Sequence, residues 1–127
     1  MTAVEPLREG LRKKARENLA LARFLLERGF VDGAAGRFYY AVLQASIHAL
    51  RRQGRTPSDF RRGAREWDHG MVERSIQLVR GRREDRVLFV ALRGQRERAD
   101  YEDDPVDRRK LEFLRHEAVR FVEEVTA

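Results

Sequence analysis

The segment of residues 93–105, RGQRERADYEDDP, carries side chains whose order is hard to explain by solubility alone. Arg96 precedes Asp100 by four positions, so a helix would place this guanidinium and this carboxylate on the same side. A guanidinium held in this way suits a phosphate oxygen. The alternative is a surface ion pair with no further role. The spacing therefore indicates either a phosphate-binding end or a solvated helix face.

A second group of charges lies in residues 51–65, RRQGRTPSDFRRGAR, where six arginines accompany a single acid. Residues 100–107, DYEDDPVD, are rich in acids. The two segments either pair with each other, each exposed pair contributing about 0–1 kcal/mol, or the arginines join Arg96 in binding phosphate. His69 follows the basic segment and is the histidine that we assign to this site. The candidate phosphate or nucleic-acid contacts are Arg51, Arg52, Arg55, Arg62 and His69.

The elements that position these residues are helical, because apolar residues recur at three- and four-residue spacing and no stretch alternates like a strand. Glycine, proline and aspartate signals divide the chain into five predicted helices. They cover about Pro6–Arg28, Asp32–Gln53, Glu66–Arg80, Glu84–Tyr101 and a last helix that begins at Asp104–Pro105. We predict one all-α domain over residues 1–127, an up-down four-helix bundle with a short extra helix. Alternating directions would put the connections at 54–65 and 102–105 at the same end.

The second predicted helix contains RFYYAVLQASIHAL, residues 37–50, in which apolar side chains point in every direction. A helix that is apolar all round is buried on all sides. A second subunit would cover this circumference most easily, so we predict a homodimer that shares the helix. The alternative is a monomer in which the short third helix covers the open side. Trp67 and the pair Tyr39–Tyr40 are assigned to the core rather than to base stacking.

Composition excludes several classes of chemistry. The chain has no cysteine, which rules out disulfides, thiolate metal sites and cysteine nucleophiles. Paired histidine or glutamate–histidine metal motifs, glycine-rich phosphate loops and nucleophile elbows are also missing, so we predict no metal and no cofactor.

No apolar run is long enough to span a membrane, and we expect a soluble, cytoplasmic protein. A net charge of +6, with 24 arginines against three lysines, favours a polyanionic partner or reflects coding composition.

Three segments in this order resemble the HEPN domain family, in its branch of small single-domain proteins. They are the paired tyrosines of RFYYAVLQASIHAL, the His-Gly of WDHGM at 67–71, and the Arg-x-x-Ala-Asp-Tyr of RERADY at 96–101. The resemblance covers nearly the whole chain. It implies a helical bundle that is commonly dimeric and often encoded beside a minimal nucleotidyltransferase, as the toxin half of a toxin–antitoxin pair.

The resemblance also implies an activity. Active members of the family are metal-independent endoribonucleases that use an arginine and, four to six residues later, a histidine, and some partners silence the toxin by adenylylating a nearby tyrosine. Arg96 matches the arginine, but Tyr101 stands five positions later, where the family has histidine. Imidazole titrates near neutrality, whereas the phenol pKa lies near 10, so tyrosine is a poor substitute in proton transfer.

Two hypotheses for function follow from the resemblance and its departure. In the first, the chain is a HEPN-like component of a toxin–antitoxin pair that cleaves RNA without a metal. Its catalytic residues are then Arg96, Asp100 and Tyr101, with Arg96 on phosphate, Asp100 orienting Arg96, and Tyr101 in the site or modified by the nucleotidyltransferase partner. In the second, the chain is a non-catalytic module that binds a nucleotide or its partner protein in the same cleft.

Overall fold

The computed structural model describes residues 9–101, 103 and 105–127, and within these ranges the secondary structure is helical, with no strand. The elements are α1 (Gly10–Glu27), α2 (Val31–Arg52), a 3₁₀ turn (Pro57–Asp59), α3 (His69–Ser75), α4 (Gln77–Arg80), α5 (Arg83–Tyr101) and α6 (Arg108–Val125). The predicted all-α class is confirmed. Across the same ranges, each helix is too short or too polar to cross a bilayer.

Two predicted N-caps are wrong. Asp32 does not cap α2, because Phe30 occupies the N-cap position without a side-chain bond and Asp32 lies inside the first turn. The last helix begins at Arg108 rather than at Asp104–Pro105, since the Asp107 carboxylate accepts the Lys110 amide at 3.2 Å and caps it. Asp104 and the predicted start of the first helix at Pro6 lie outside the described residues.

The predicted third helix is two short segments. Asp68 caps α3 by accepting the Met71 amide at 2.8 Å, so the helix begins at His69 rather than at Glu66. α3 meets α4 at Ile76, and Gly81 ends α4 in the left-handed region with φ 67°, where glycine is favoured. The capping aspartate therefore fixes His69 at the first helical position.

α2 forms the centre of the fold, and α1, α3, α4, α5 and α6 of the same chain all contact it. Its largest side chains are fully buried, among them Phe38, Tyr39, Val42 and Leu50. The prediction that this helix is buried on all sides is confirmed. Helices of the same chain, including the short α3 and α4, cover it, so its burial does not require the second subunit that we expect from the sequence.

The connection after α2 does not lead into an antiparallel neighbour. His69 at the start of α3 contacts Tyr39, whereas Leu78 in α4 accepts a 3.1 Å hydrogen bond from the Gln53 side chain. Tyr39 and Gln53 are about 21 Å apart along the helix axis of α2. Residues 53–68 therefore run back along α2, and α3 and α4 descend in the same direction as α2.

This return reverses the direction predicted for α5. The helix starts near the end of α2, where Arg80 binds Asp85, and runs back until Arg96 reaches Tyr39 and Tyr40. At that end Arg108, at the start of α6, donates to the Leu26 carbonyl of α1 at 3.5 Å. The connections at 54–65 and 102–105 thus begin at opposite ends, and the prediction of a shared end is wrong.

A buried ion pair joins α4, α5 and α6 at the end where α2 finishes. The Arg80 side chain is 8% exposed and binds both oxygens of the 2%-exposed Asp85 carboxylate, at 3.0 and 2.6 Å. It also donates to Glu124 at 2.6 Å and lies 5.0 Å from the Phe121 ring centre. These carboxylates raise the pKa of Arg80, so its charge is fixed. The contacts hold the first turn of α5 against the last turn of α6.

Candidate functional site

The site is centred on a tyrosine and a histidine 30 residues apart in sequence. Tyr39 projects from α2 and its phenol oxygen is hydrogen-bonded to Nδ1 of His69 at the start of α3. The two rings are parallel, with an interplanar angle of 3° and centroids 5.5 Å apart. Phe89 of α5 also packs against the Tyr39 ring, with the two ring centroids 5.2 Å apart. The bond and the packing together fix the orientation of the imidazole.

Arg96 of α5 brings a positive charge to the same cluster. Its guanidinium carbon lies 5.4 Å from the Tyr39 ring centre and 5.2 Å from that of Tyr40, distances at which a cation is attracted to an aromatic face. The Arg96 side chain is 18% exposed, and its Nε lies 3.3 Å from the Asp100 carboxylate, without hydrogen-bond geometry. The guanidinium is thus held in place while part of it still faces solvent.

A second arginine, Arg93, stands one turn earlier on α5. It pairs with Glu73 of α3 at 3.5 Å and with Glu97 at 3.4 Å, and its side chain is 37% exposed. These two carboxylates neutralise much of its charge. Arg96, which pairs with one partly exposed carboxylate, is therefore the better candidate for binding an anion.

The environment shifts both titrating groups of the cluster. Burial lowers the pKa of His69 below its ordinary 6.5, and the charges of Arg96 and Arg93 lower it further. Burial raises the pKa of Tyr39 to about 12, against the opposing effect of the same two arginines. Near neutral pH the imidazole is therefore unprotonated and the phenol keeps its proton, which suits His69 to accept a proton and Tyr39 to position it.

The predicted catalytic residues separate in the structure. Arg96 and Asp100 lie together, as their spacing indicates, and Asp100 pairs with Arg96. Tyr101 is 76% exposed on the outward side of α5. The histidine that accompanies Arg96 is His69, supplied by a different helix from the one that the motif spacing indicates.

The predicted phosphate contacts fall into two places. His69 belongs to the Arg96 cluster, whereas Arg51, Arg52 and Arg55 line a separate cleft at the end of α2. Arg62 is exposed on the connection and lines neither site. Residues 53–68 run back along α2 from the cleft to His69. The arginines of this segment therefore do not surround a single site.

Sequence analysis missed the part that tyrosines play in the site. Tyr39 is fully buried, as predicted for a core residue, yet its hydroxyl also binds His69. Tyr40 is half-buried and provides the second ring beneath Arg96. The adjacent tyrosines in a largely apolar helix were the available signal, because a buried phenol requires a hydrogen-bond partner.

The chemistry open to this cluster is proton transfer and anion binding by Tyr39, His69 and Arg96. In the part of the chain that the structure describes, no three His, Asp or Glu side chains are grouped so as to hold a metal ion. No family model, curated protein or solved structure matches the chain. The residues themselves are therefore the basis for any assignment of function.

Proposed function

We propose that this chain is a HEPN-like protein, an up-down four-helix bundle with a short extra segment, that cleaves RNA without a metal ion. The observation that carries the proposal is the meeting of Arg96 and His69 around the Tyr39 ring. The resemblance calls for an arginine and a histidine in one site, and the histidine missing from the motif after Arg96 is supplied from α3. The proposal also covers a nucleotidyltransferase partner in a toxin–antitoxin pair.

The cluster would act by general base catalysis with electrostatic stabilisation. In the tautomer in which Nδ1 donates to the Tyr39 oxygen, Nε2 of His69 carries the lone pair that takes the proton from a ribose 2′-hydroxyl. The 2′-oxygen attacks phosphorus, the bond to the 5′-oxygen breaks, and the leaving oxygen takes a proton from water. Arg96 binds the phosphate oxygens, whose negative charge increases in the transition state.

Asp100 and Tyr101 have supporting parts in this proposal. Asp100 orients the Arg96 guanidinium through their 3.3 Å ion pair. Tyr101, with 76% of its surface exposed, offers its hydroxyl to a partner enzyme. Tyr101 is therefore assigned as the residue that a nucleotidyltransferase would modify.

The homodimer is proposed through α5 instead of α2. Val87, Val90 and Gly94 recur at spacings of three and four residues on the side of α5 that faces away from the core. Val87 and Val90 are 65% and 46% exposed, and a Cβ added at Gly94 would meet open space.

One observation favours the non-catalytic alternative. The position that the family fills with histidine holds Tyr101, whose side chain points into solvent. A module that binds a nucleotide or its partner protein would keep Arg96 as an anion contact and use His69 only for packing. The two hypotheses differ in whether His69 changes a reaction or only a binding affinity.

The experiment is cleavage of labelled RNA by the purified protein in EDTA, with Arg96→Ala and His69→Asn as test variants. Arg109→Ala, which removes an exposed charge from α6 outside the cluster, is the matched control. We expect cleavage by the wild type and the control, and a loss of about 100-fold or more in both test variants. Equal cleavage by all four proteins would overturn the proposal. RNA binding without cleavage by the wild type would favour the module.

A further inference from the structure

A second candidate site lies in a cleft of about 1040 Å³, remote from Arg96 along the axis of α2. Its walls are the first turns of α1, the last turns of α2 and the connection that follows. We call it the basic cleft, because five cations face one acid, Glu66. These cations are Lys14, Arg51, Arg52, Arg55 and Arg65. A concave surface of one charge sign concentrates ions of the opposite sign.

Within the described part of the chain, no carboxylate pairs with the cations of the basic cleft. Across residues 9–101, 103 and 105–127, none of the five lies within 4.0 Å of a carboxylate oxygen. Arg55 donates to the Gln53 side chain, a neutral group, at 2.9 Å. Elsewhere in the chain Arg80, Arg93 and Arg108 all have carboxylate partners. The positive charge of the cleft is therefore available to a ligand.

The floor of the cleft contains a buried polar atom without a partner. His48 lines the cleft, is only 3% exposed, and its Nε2 makes no hydrogen bond in the described structure. Leaving such a buried atom unpaired is unfavourable. Burial and the nearby Arg52, Arg12 and Arg51 lower the pKa of His48, so the ring is neutral near pH 7. A neutral ring nitrogen can still bond a ligand that reaches the floor.

An aromatic wall completes the cleft and connects it with the first site. Trp67 lines the cleft, is half-buried, and packs against Phe60 with ring centroids 5.7 Å apart. His69 follows two residues later, which places its backbone within about 7 Å of that of Trp67. A chain-like ligand lying in the cleft can therefore pass Trp67 and reach the Arg96 cluster.

We propose that the basic cleft holds a segment of single-stranded RNA that extends along α2 towards the Arg96 cluster. Phosphates contact Arg51, Arg52 and Arg55, and one base stacks on Trp67, an arrangement that combines the two interactions on which single-strand binding depends. His48 Nε2 bonds a polar group of the strand that reaches the floor. The assignment of the polyanion as RNA rests on the proposed function, whereas the existence of a phosphate-plus-base site rests on the cleft alone.

Trp67 provides a direct signal, because it is the only tryptophan in the chain. The experiment titrates a single-stranded RNA of about ten nucleotides, a length within the usual site size, into the full chain and records tryptophan fluorescence and RNA anisotropy. The test variant is Arg51→Ala/Arg52→Ala. The control is Arg109→Ala/Lys110→Ala, which loses the same charge from exposed positions on α6. Circular dichroism checks that both variants are folded.

We expect RNA to quench Trp67 in the wild type and the control. The test variant should bind at least tenfold more weakly. Its salt dependence should fall by about 1.4 in log–log slope, corresponding to two fewer phosphate contacts on a single strand. His48→Gln should weaken binding less than the double variant. An equal loss in the control would mean that net charge alone binds RNA, and an unchanged Trp67 signal on binding would overturn the stacking.

Two further arms separate this inference from the proposed cleavage. His69→Asn should abolish cleavage but retain RNA binding and Trp67 quenching. If the wild type binds RNA in the cleft and cleaves nothing, the cleavage proposal fails and the cleft assignment stands. Adenosine monophosphate is the competitor. Displacement of the RNA by an equal concentration of this nucleotide would show a mononucleotide site and overturn the assignment to a strand.

Discussion

The Tyr39 phenol oxygen binds Nδ1 of His69, and the two rings lie parallel although 30 residues separate them in sequence. Tyr39 is fully buried at the centre of the fold, whereas His69 begins a short helix at its surface. This single bond therefore couples the core to the group proposed to transfer a proton. Changes at Tyr39 should affect both stability and the site.

Replacing Tyr39 by phenylalanine tests that coupling. The variant keeps the ring but removes the hydroxyl, so we expect a loss of about 0.5–1.5 kcal/mol in the free energy of unfolding, measured in urea. In a double-mutant cycle, adding His69→Asn to this variant should cost little more, because the second change has no bond left to remove. Tyr40→Phe is the control, since the Tyr40 hydroxyl has no hydrogen bond in the described residues. Additive effects in the cycle would contradict the coupling.

Stability should decline below neutral pH because of the histidines. The fold lowers the pKa of both His48 and His69, so the unfolded chain binds more protons than the folded chain as pH falls through about 6.5. Their contribution is fully present above that pH and is lost below it. We expect the urea midpoint to fall between pH 7.5 and 5.5, and less steeply in His48→Gln. An identical slope in that variant would exclude His48 as a source.

The Arg80–Asp85 pair should dominate the stability of its end of the fold. Asp85→Ala leaves a nearly buried guanidinium with one exposed partner, so we expect a loss of about 3–5 kcal/mol in the free energy of unfolding. Glu124→Gln should cost only about 0–1 kcal/mol, because that carboxylate is 54% exposed. Urea unfolding of the two variants makes the comparison. A similar cost for both would contradict the role assigned to burial.

The proposed α5 interface makes a prediction about mass in solution. Val87→Glu/Val90→Glu places charges on the stripe, and we expect the protein to change from dimer to monomer in light scattering coupled to gel filtration. Phe113→Glu is the control, because Phe113 is 74% exposed on α6, away from the stripe. A dimer that survives the double variant would place the interface elsewhere, and a monomeric wild type would remove it.

Local periodicity was enough to predict the helices and the central position of α2, because apolar spacing reports directly on burial. The direction of α3 could not be predicted, since residues 53–68 carry no periodicity that distinguishes a short crossing from a return along α2. The pair Arg96–Asp100 could be predicted because both residues lie within one helix. The bond between Tyr39 and His69 was not, because it depends on that return. His69 was nevertheless selected for its position beside the basic segment.

The return of residues 53–68 along α2 has a consequence for how this site can vary. Trp67 in the cleft wall and Asp68 at the helix cap directly precede His69. The length of the segment therefore sets the alignment of the imidazole with Tyr39. One inserted residue would shift that alignment while leaving every long helix intact. A change in the length of residues 53–68 would therefore alter the site without altering the core. Such a change should give variants that are inactive yet stably folded.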